Sequence, residues 1–104
     1  MIETLKKLFG GTDTIDYAKL ISAGAVILDV RSKSEFAGGS IKGSVNIPVD
    51  QLERNLDKLD KNKVIITCCA SGMRSSSAKG LLESKGFMKV YNAGSWTRLT
   101  QYVK

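Results

Sequence analysis

Two apolar runs stand out from the polar background: Ala25-Val26-Ile27-Leu28-Asp29-Val30 and Val64-Ile65-Ile66-Thr67-Cys68-Cys69. Both are short and rich in β-branched residues, as expected of strands covered on both faces of a parallel sheet. Ile41 to Pro48 reads as a loop and short strand ended by the only proline, and Val90-Tyr91 as a last short strand. Between these runs the apolar spacing is helical. Tyr17, Leu20 and Ile21 share a face of a first helix, with Thr14 or Asp16 as its cap and Gly24 closing it. Ser32 and Glu35 have capping-box spacing and predict a short helix directly after the first strand. Asp50 and Glu53 open a helix with Leu52, Leu56 and Leu59 on one side, and Ala78, Leu81 and Leu82 face inward from a helix running from about Arg74 to Gly86. A terminal helix carries Leu99 and Tyr102. Strands alternating with helices over short connections predict an α/β fold with a parallel sheet covered on both faces. Ligands of such sheets bind beyond the carboxyl ends of the strands, where Asp29-Val30-Arg31 and Cys68-Cys69 both fall.

The 104 residues suffice for one domain with a single core. Residues 1–11 read as an N-terminal extension, a short amphipathic helix with Ile2, Leu5, Leu8 and Phe9 on one side, and residues 12–104 as the domain. No apolar run approaches a membrane span, and the start lacks the order of a signal peptide, so a cytoplasmic protein with no membrane partner is expected. The net charge of +6 is spread over scattered lysines with little aromatic interleaving. That describes a solvated basic surface attractive to small anions rather than a nucleic-acid site. There is no histidine, so Ser-His, Cys-His and His-metal sites are excluded within the chain. Two adjacent cysteines make neither a four-cysteine zinc site nor a Cys-x-x-Cys pair, and no metal or cofactor is expected.

The second strand run leads into Cys69-Ala70-Ser71-Gly72-Met73-Arg74-Ser75 and then a helix. A strand–loop–helix turn aims backbone N–H groups and the positive end of the helix dipole into the loop, which favours a thiolate there over a thiol. Gly72 and the serines let the backbone curl around a sulfur, and Arg74 adds a positive charge. Cys69 is therefore the candidate nucleophile, and Cys68 the candidate core residue. Arg74 has two compatible readings, as an electrostatic partner of the anion and as an anchor of the loop to Glu35. Asp29 and Arg31 read as framework, Trp96 as core or pocket rim, and Met73 as a donor contact or a cap on the loop.

These residues resemble the rhodanese-like sulfurtransferase domain from about Thr14 to Leu99. Asp29-Val30-Arg31 matches its strand-end signature, and Glu35-Phe36, Gly39, Ile41, Gly43 and Asn46-Ile47-Pro48 follow in order. Cys69 to Ser75 is similar to the active-site loop, and Gly86-Phe87, Val90-Tyr91 and Gly94 complete the series. The chain departs from the pattern at Ser40, at Ser95 and at Ala70, the second loop position, where many thiosulfate-using members carry a polar residue. The resemblance implies a three-layer domain with a mostly parallel sheet of about five strands. It also implies a Cys69 persulfide that takes sulfane sulfur from a small anionic donor such as thiosulfate and passes it to a thiol or cyanide, with loop amides from Ala70 to Ser75 holding the anion. Two alternatives stay open. One is a sulfur-relay or binding module working with a partner protein, and the other a phosphatase or arsenate reductase in the Cys-x5-Arg register from Cys68 to Arg74.

Overall fold

Asp16 starts the first helix because its carboxylate accepts the Lys19 amide at 3.0 Å. The helix, α1 (Tyr17–Ser22), closes at Ala23, and Gly24 takes a positive φ to turn the chain into β1 (Val26–Asp29). The computed structural model describes residues 15–103, so the amphipathic extension over residues 1–11 and the Thr14 cap lie outside the described residues. After β1 the predicted capping box forms: Ser32 Oγ accepts the Glu35 amide at 3.2 Å, and Glu35 accepts the Ser32 amide at 2.9 Å. It opens α2 (Lys33–Ala37), and β2 is only Val45–Asn46. The segment with Leu52 and Leu56 is a 3-10 helix, Val49–Lys58, kinked at Asn55, rather than a regular α-helix. Pro48, lacking an amide, precedes it, and Asn55 donates its side-chain amide to the Gln51 carbonyl.

β3 (Ile65–Cys69) is buried at all five positions and leads through Gly72 into α3 (Met73–Ser84). β4 (Val90–Ser95) runs four residues further than the Val90-Tyr91 pair predicts, because Asn92 to Ser95 still pair with β3 beyond the apolar signal. A second 3-10 helix, Trp96–Tyr102, ends the described chain.

All strand pairs are parallel, in the order β2-β1-β3-β4. The sheet of the described residues has four strands, not the about five that the resemblance implied. The chain between Ile15 and Val103 holds only four strand-forming runs; Gly38 to Ser44 and the segment after Ser95 form turns and 3-10 structure instead.

Strand alternation divides the core into two layers. Leu28, Ile65, Cys69 and Val90 face Leu52, Leu59, Ala78 and Leu82 of the first 3-10 helix, the turn after it and α3. Ile27, Ile66, Cys68 and Ala93 face Tyr17, Ile41 and Leu99 on the other side. The sheet is thus covered on both faces, and Asp29 and Cys68 sit opposite each other in register. The strand-end residues Asp29 and Cys69 accordingly share one edge. Among the described residues no helix is long and apolar enough to cross a membrane.

Candidate active site

Cys69 is the last residue of β3, and the chain needs only Ala70, Ser71 and Gly72 to reach the first turn of α3. Gly72 makes that turn possible: its φ is +111°, a conformation L side chains rarely adopt, and its α-carbon side packs toward the Gly94 Cα. In this geometry the Gly72 amide donates to Cys69 Sγ at 2.9 Å and the Ser75 amide donates at 3.3 Å. Both N–H groups belong to the helix start, where no carbonyl of the preceding turn is available to them. The Cys69 Sγ and the Ser75 hydroxyl lie 3.3 Å apart. Burial alone would push the Cys69 thiol up, but hydrogen bonding with the Ser75 side chain and from the Ser75, Gly72 and Ser71 amides outweighs it and brings the thiol below its ordinary value. Cys69 is fully buried beneath the loop. Ala70 and Ser71, at the crest of that loop, are exposed and small.

Cys68, one residue earlier, points to the opposite face of the sheet, among Tyr17, Ile27, Ile66 and Leu99. Burial, reinforced by the nearby Asp29 carboxylate, pushes its thiol up to about 12. Adjacent strand residues direct their side chains to opposite faces, so Cys68 cannot resolve a group carried on Cys69 or lie over the same loop. The Cys-x5-Arg register from Cys68 therefore has no nucleophile in the loop, and both cysteines are free thiols.

The charged residues are tied to one another. Arg74 makes a two-pronged ion pair with Glu35, at 2.7 and 3.0 Å, which joins the start of α3 to α2. The Arg74 guanidinium and the Ser32 amide hold the Glu35 carboxyl down to about 2. Of the two readings of Arg74, the anchor is the one the geometry displays, and its charge reaches Cys69 only from outside the amide ring. Arg31 folds back on Asp29, with Nε 3.0 Å from both carboxylate oxygens and Nη2 2.8 Å from one. Arg31 also donates to the Gly39 carbonyl and stacks 4.5 Å over the Trp96 ring. The pair is buried and fully engaged, and it fixes the loops at the carboxyl edge of β1 without reaching the sulfur. Trp96 thus covers the Arg31 guanidinium, while Met73 is 81 % exposed on the lip of the loop. Among the described residues no cluster of His, Cys, Asp or Glu is placed to hold a metal ion.

Two positions carry more of the site than the sequence pattern conveys. Thr67, buried on the same face as Cys69, donates to the Ser75 carbonyl at 3.0 Å and ties the first turn of α3 to the sheet. Asn92 on β4 accepts the Ser75 hydroxyl at 2.6 Å and the Gly94 amide at 2.9 Å. A threonine inside an apolar strand must find a partner, and an asparagine two residues before a glycine is an Asx-turn signal. Both clues are visible in the sequence, but neither names Ser75 as the partner.

Residues 13–100 match the family model of the rhodanese-like domain, and the chain belongs to that family. It is 37 % identical over 79 residues to "Putative sulfur carrier protein YrkF" of Bacillus subtilis, a match covering 72 % of this chain and 43 % of the relative. It is 37 % identical over 71 residues to thiosulfate sulfurtransferase GlpE of Stutzerimonas stutzeri, covering 68 % of this chain and 65 % of that protein. The rhodanese-like domain protein of Staphylococcus aureus superposes with a TM-score of 0.72 at 31 % identity, with 86 % of each chain covered. The chain spans from 43 % to 65 % of the length of these two curated relatives.

Proposed function

We infer that this protein is a sulfurtransferase in which Cys69 carries sulfane sulfur as a persulfide. The observation that carries the reading is the Cys69 sulfur at a helix start, accepting the Gly72 and Ser75 amides while its thiol is held below the ordinary value. The Cys69 thiolate attacks the outer sulfur of a donor such as thiosulfate. A new S–S bond forms to Cys69 as the donor's S–S bond breaks, and sulfite leaves with the electron pair. A thiolate or cyanide acceptor then attacks the terminal sulfur, and the Cys69 thiolate is released to begin again. Each step leaves negative charge on sulfur in the loop, and fixed amides stabilise it without having to reorganise. No step needs an imidazole. The relative named thiosulfate sulfurtransferase supports this class of reaction. The free thiols fit a reducing compartment such as the cytoplasm.

A second reading keeps the persulfide and changes its destination: the domain hands sulfur to a partner protein instead of turning over a small acceptor. The relative named as a sulfur carrier favours it, as does the complete cover over Cys69, which a docking partner would have to lift. The deciding experiment is sulfite release from thiosulfate with cyanide or a dithiol as acceptor. The enzyme reading requires release that continues over many turnovers and disappears in Cys69→Ser. A single equivalent of sulfite with no further turnover on either acceptor would favour the relay.

A further inference from the structure

The Ser75 hydroxyl has one proton and three neighbours that could take it. Asn92 Oδ1 is nearest, at 2.6 Å, the Gly72 carbonyl lies at 3.1 Å and also accepts the Ser76 amide, and Cys69 Sγ lies at 3.3 Å. The orientation of the Asn92 amide follows from its other contact. The atom that faces Ser75 also accepts the Gly94 N–H at 2.9 Å, so it is the oxygen and not the NH2 group. An oxygen cannot donate; Ser75 must be the donor in that pair. In the resting site the Ser75 proton therefore points at Asn92, and the Ser75 oxygen turns a lone pair toward the sulfur. That arrangement accepts an S–H and opposes a thiolate.

Asn92 owes its position to the sheet. Thr67 pairs with Asn92 but Cys68 pairs with Gly94, so β4 gains one residue at this point, and the Asn92 side chain spans the irregularity. We propose that Asn92 is a positioning residue for the sulfur: it holds the Ser75 hydroxyl proton while Cys69 is a neutral thiol, and it releases that proton to the sulfur when Cys69 becomes a thiolate or persulfide. The proposal rests on Cys69 being the sulfur carrier, and it adds a device that sets how readily the charged form appears. Asn92 does not touch the sulfur; it acts on it through Ser75.

Other ionisable groups near the loop are already engaged. Arg74 of α3 is paired with Glu35 of α2, and Asp29 of β1 with Arg31. Cys68 of β3 and Tyr91 of β4 pack on the opposite face. Glu53 of the first 3-10 helix is paired with Lys85 at the far end of α3. A change at Asn92 therefore reaches Cys69 through the Ser75 hydroxyl and not through a rearranged ion pair.

The test is an ultraviolet titration of the Cys69 thiolate in the full chain, with Cys68→Ser leaving one thiol and a Cys69→Ser control subtracting the tyrosines. Asn92→Ala frees the hydroxyl and lowers the midpoint by about one pH unit, the scale of one hydrogen bond to a charged group. In a Ser75→Ala background the same substitution leaves the midpoint where Ser75→Ala alone puts it. Asn92→Asp keeps both acceptor bonds and settles the matter if the alanine variant does not fold. It raises the midpoint, and by more with Ser75 present than in Ser75→Ala. Shifts equal with and without Ser75, or no shift in either variant, would overturn the proposal. Sulfur uptake by the same proteins, read by intact mass, tests the transfer reading separately, since the midpoints do not depend on it.

Discussion

Gly72→Ala probes the site where backbone conformation and sulfur chemistry meet. Gly72 sits at φ +111°, and a Cβ there would meet the Gly94 Cα at 3.5 Å, an ordinary contact. Conformational strain, not collision, is therefore the cost, on the order of 1–3 kcal/mol. The loop can relieve that strain only by rotating the Gly72 peptide, which removes the amide now 2.9 Å from the Cys69 sulfur. Losing one hydrogen bond to a charged sulfur is worth about 1.5–3 kcal/mol, or about one to two pH units upward in the thiol midpoint, which lowers the thiolate fraction and slows its reaction at neutral pH. Gly24→Ala is the matched control. Its φ is +105°, nothing lies within 4 Å of the new Cβ, and it precedes β1 at the sheet edge remote from the loop. Both variants should lower the urea midpoint by comparable amounts, while only Gly72→Ala raises the thiol midpoint and slows sulfur transfer. If Gly72→Ala loses stability yet keeps the wild-type thiol titration and transfer rate, the amide cradle is not what activates Cys69.

Further outcomes follow from the same geometry. Cys69→Ser abolishes sulfur uptake and Cys68→Ser retains it, as read by intact mass, because only Cys69 faces the loop; the opposite pattern would restore the Cys68 register. Arg31→Met leaves the buried Asp29 carboxylate without its guanidinium partner and costs about 3–5 kcal/mol, measured as a lower urea midpoint at an unchanged m-value. Side-chain NMR should place the Glu35 midpoint at about 2, below the ordinary carboxylate range. A folded pKa held down means that its stabilising contribution is present above the unfolded value and fades as pH falls toward 2. Arg74→Gln returns Glu35 toward an ordinary midpoint; an unchanged midpoint would show that the pair does not form in solution.

The strands were the most legible part of the chain, because burial on both faces forces an uninterrupted apolar run such as Ile65–Cys69. The Ser32–Glu35 box was legible for a local reason: both bonds close within three residues. β4 extends past its apolar pair because Asn92, Gly94 and Ser95 pair through their backbones and carry no apolar signal. The segment after Pro48 has helical spacing in its leucines, yet the kink at Asn55 depends on a side-chain bond to Gln51 that periodicity cannot encode. At the site, the loop and its cysteine were visible as a motif. The partnership of Ser75 with Asn92, 17 residues away, depends on the strand irregularity that brings them together. The complete burial of Cys69 was likewise not written in the loop's small, polar residues.

The most direct measurement incubates the protein with thiosulfate, removes the excess, and locates any added mass by peptide fragmentation. The account predicts a gain of one sulfur atom on the peptide bearing Cys69, removed by cyanide with return of the original mass. An unmodified Cys69 under these conditions and with a persulfide donor, or the added sulfur on Cys68, would contradict it.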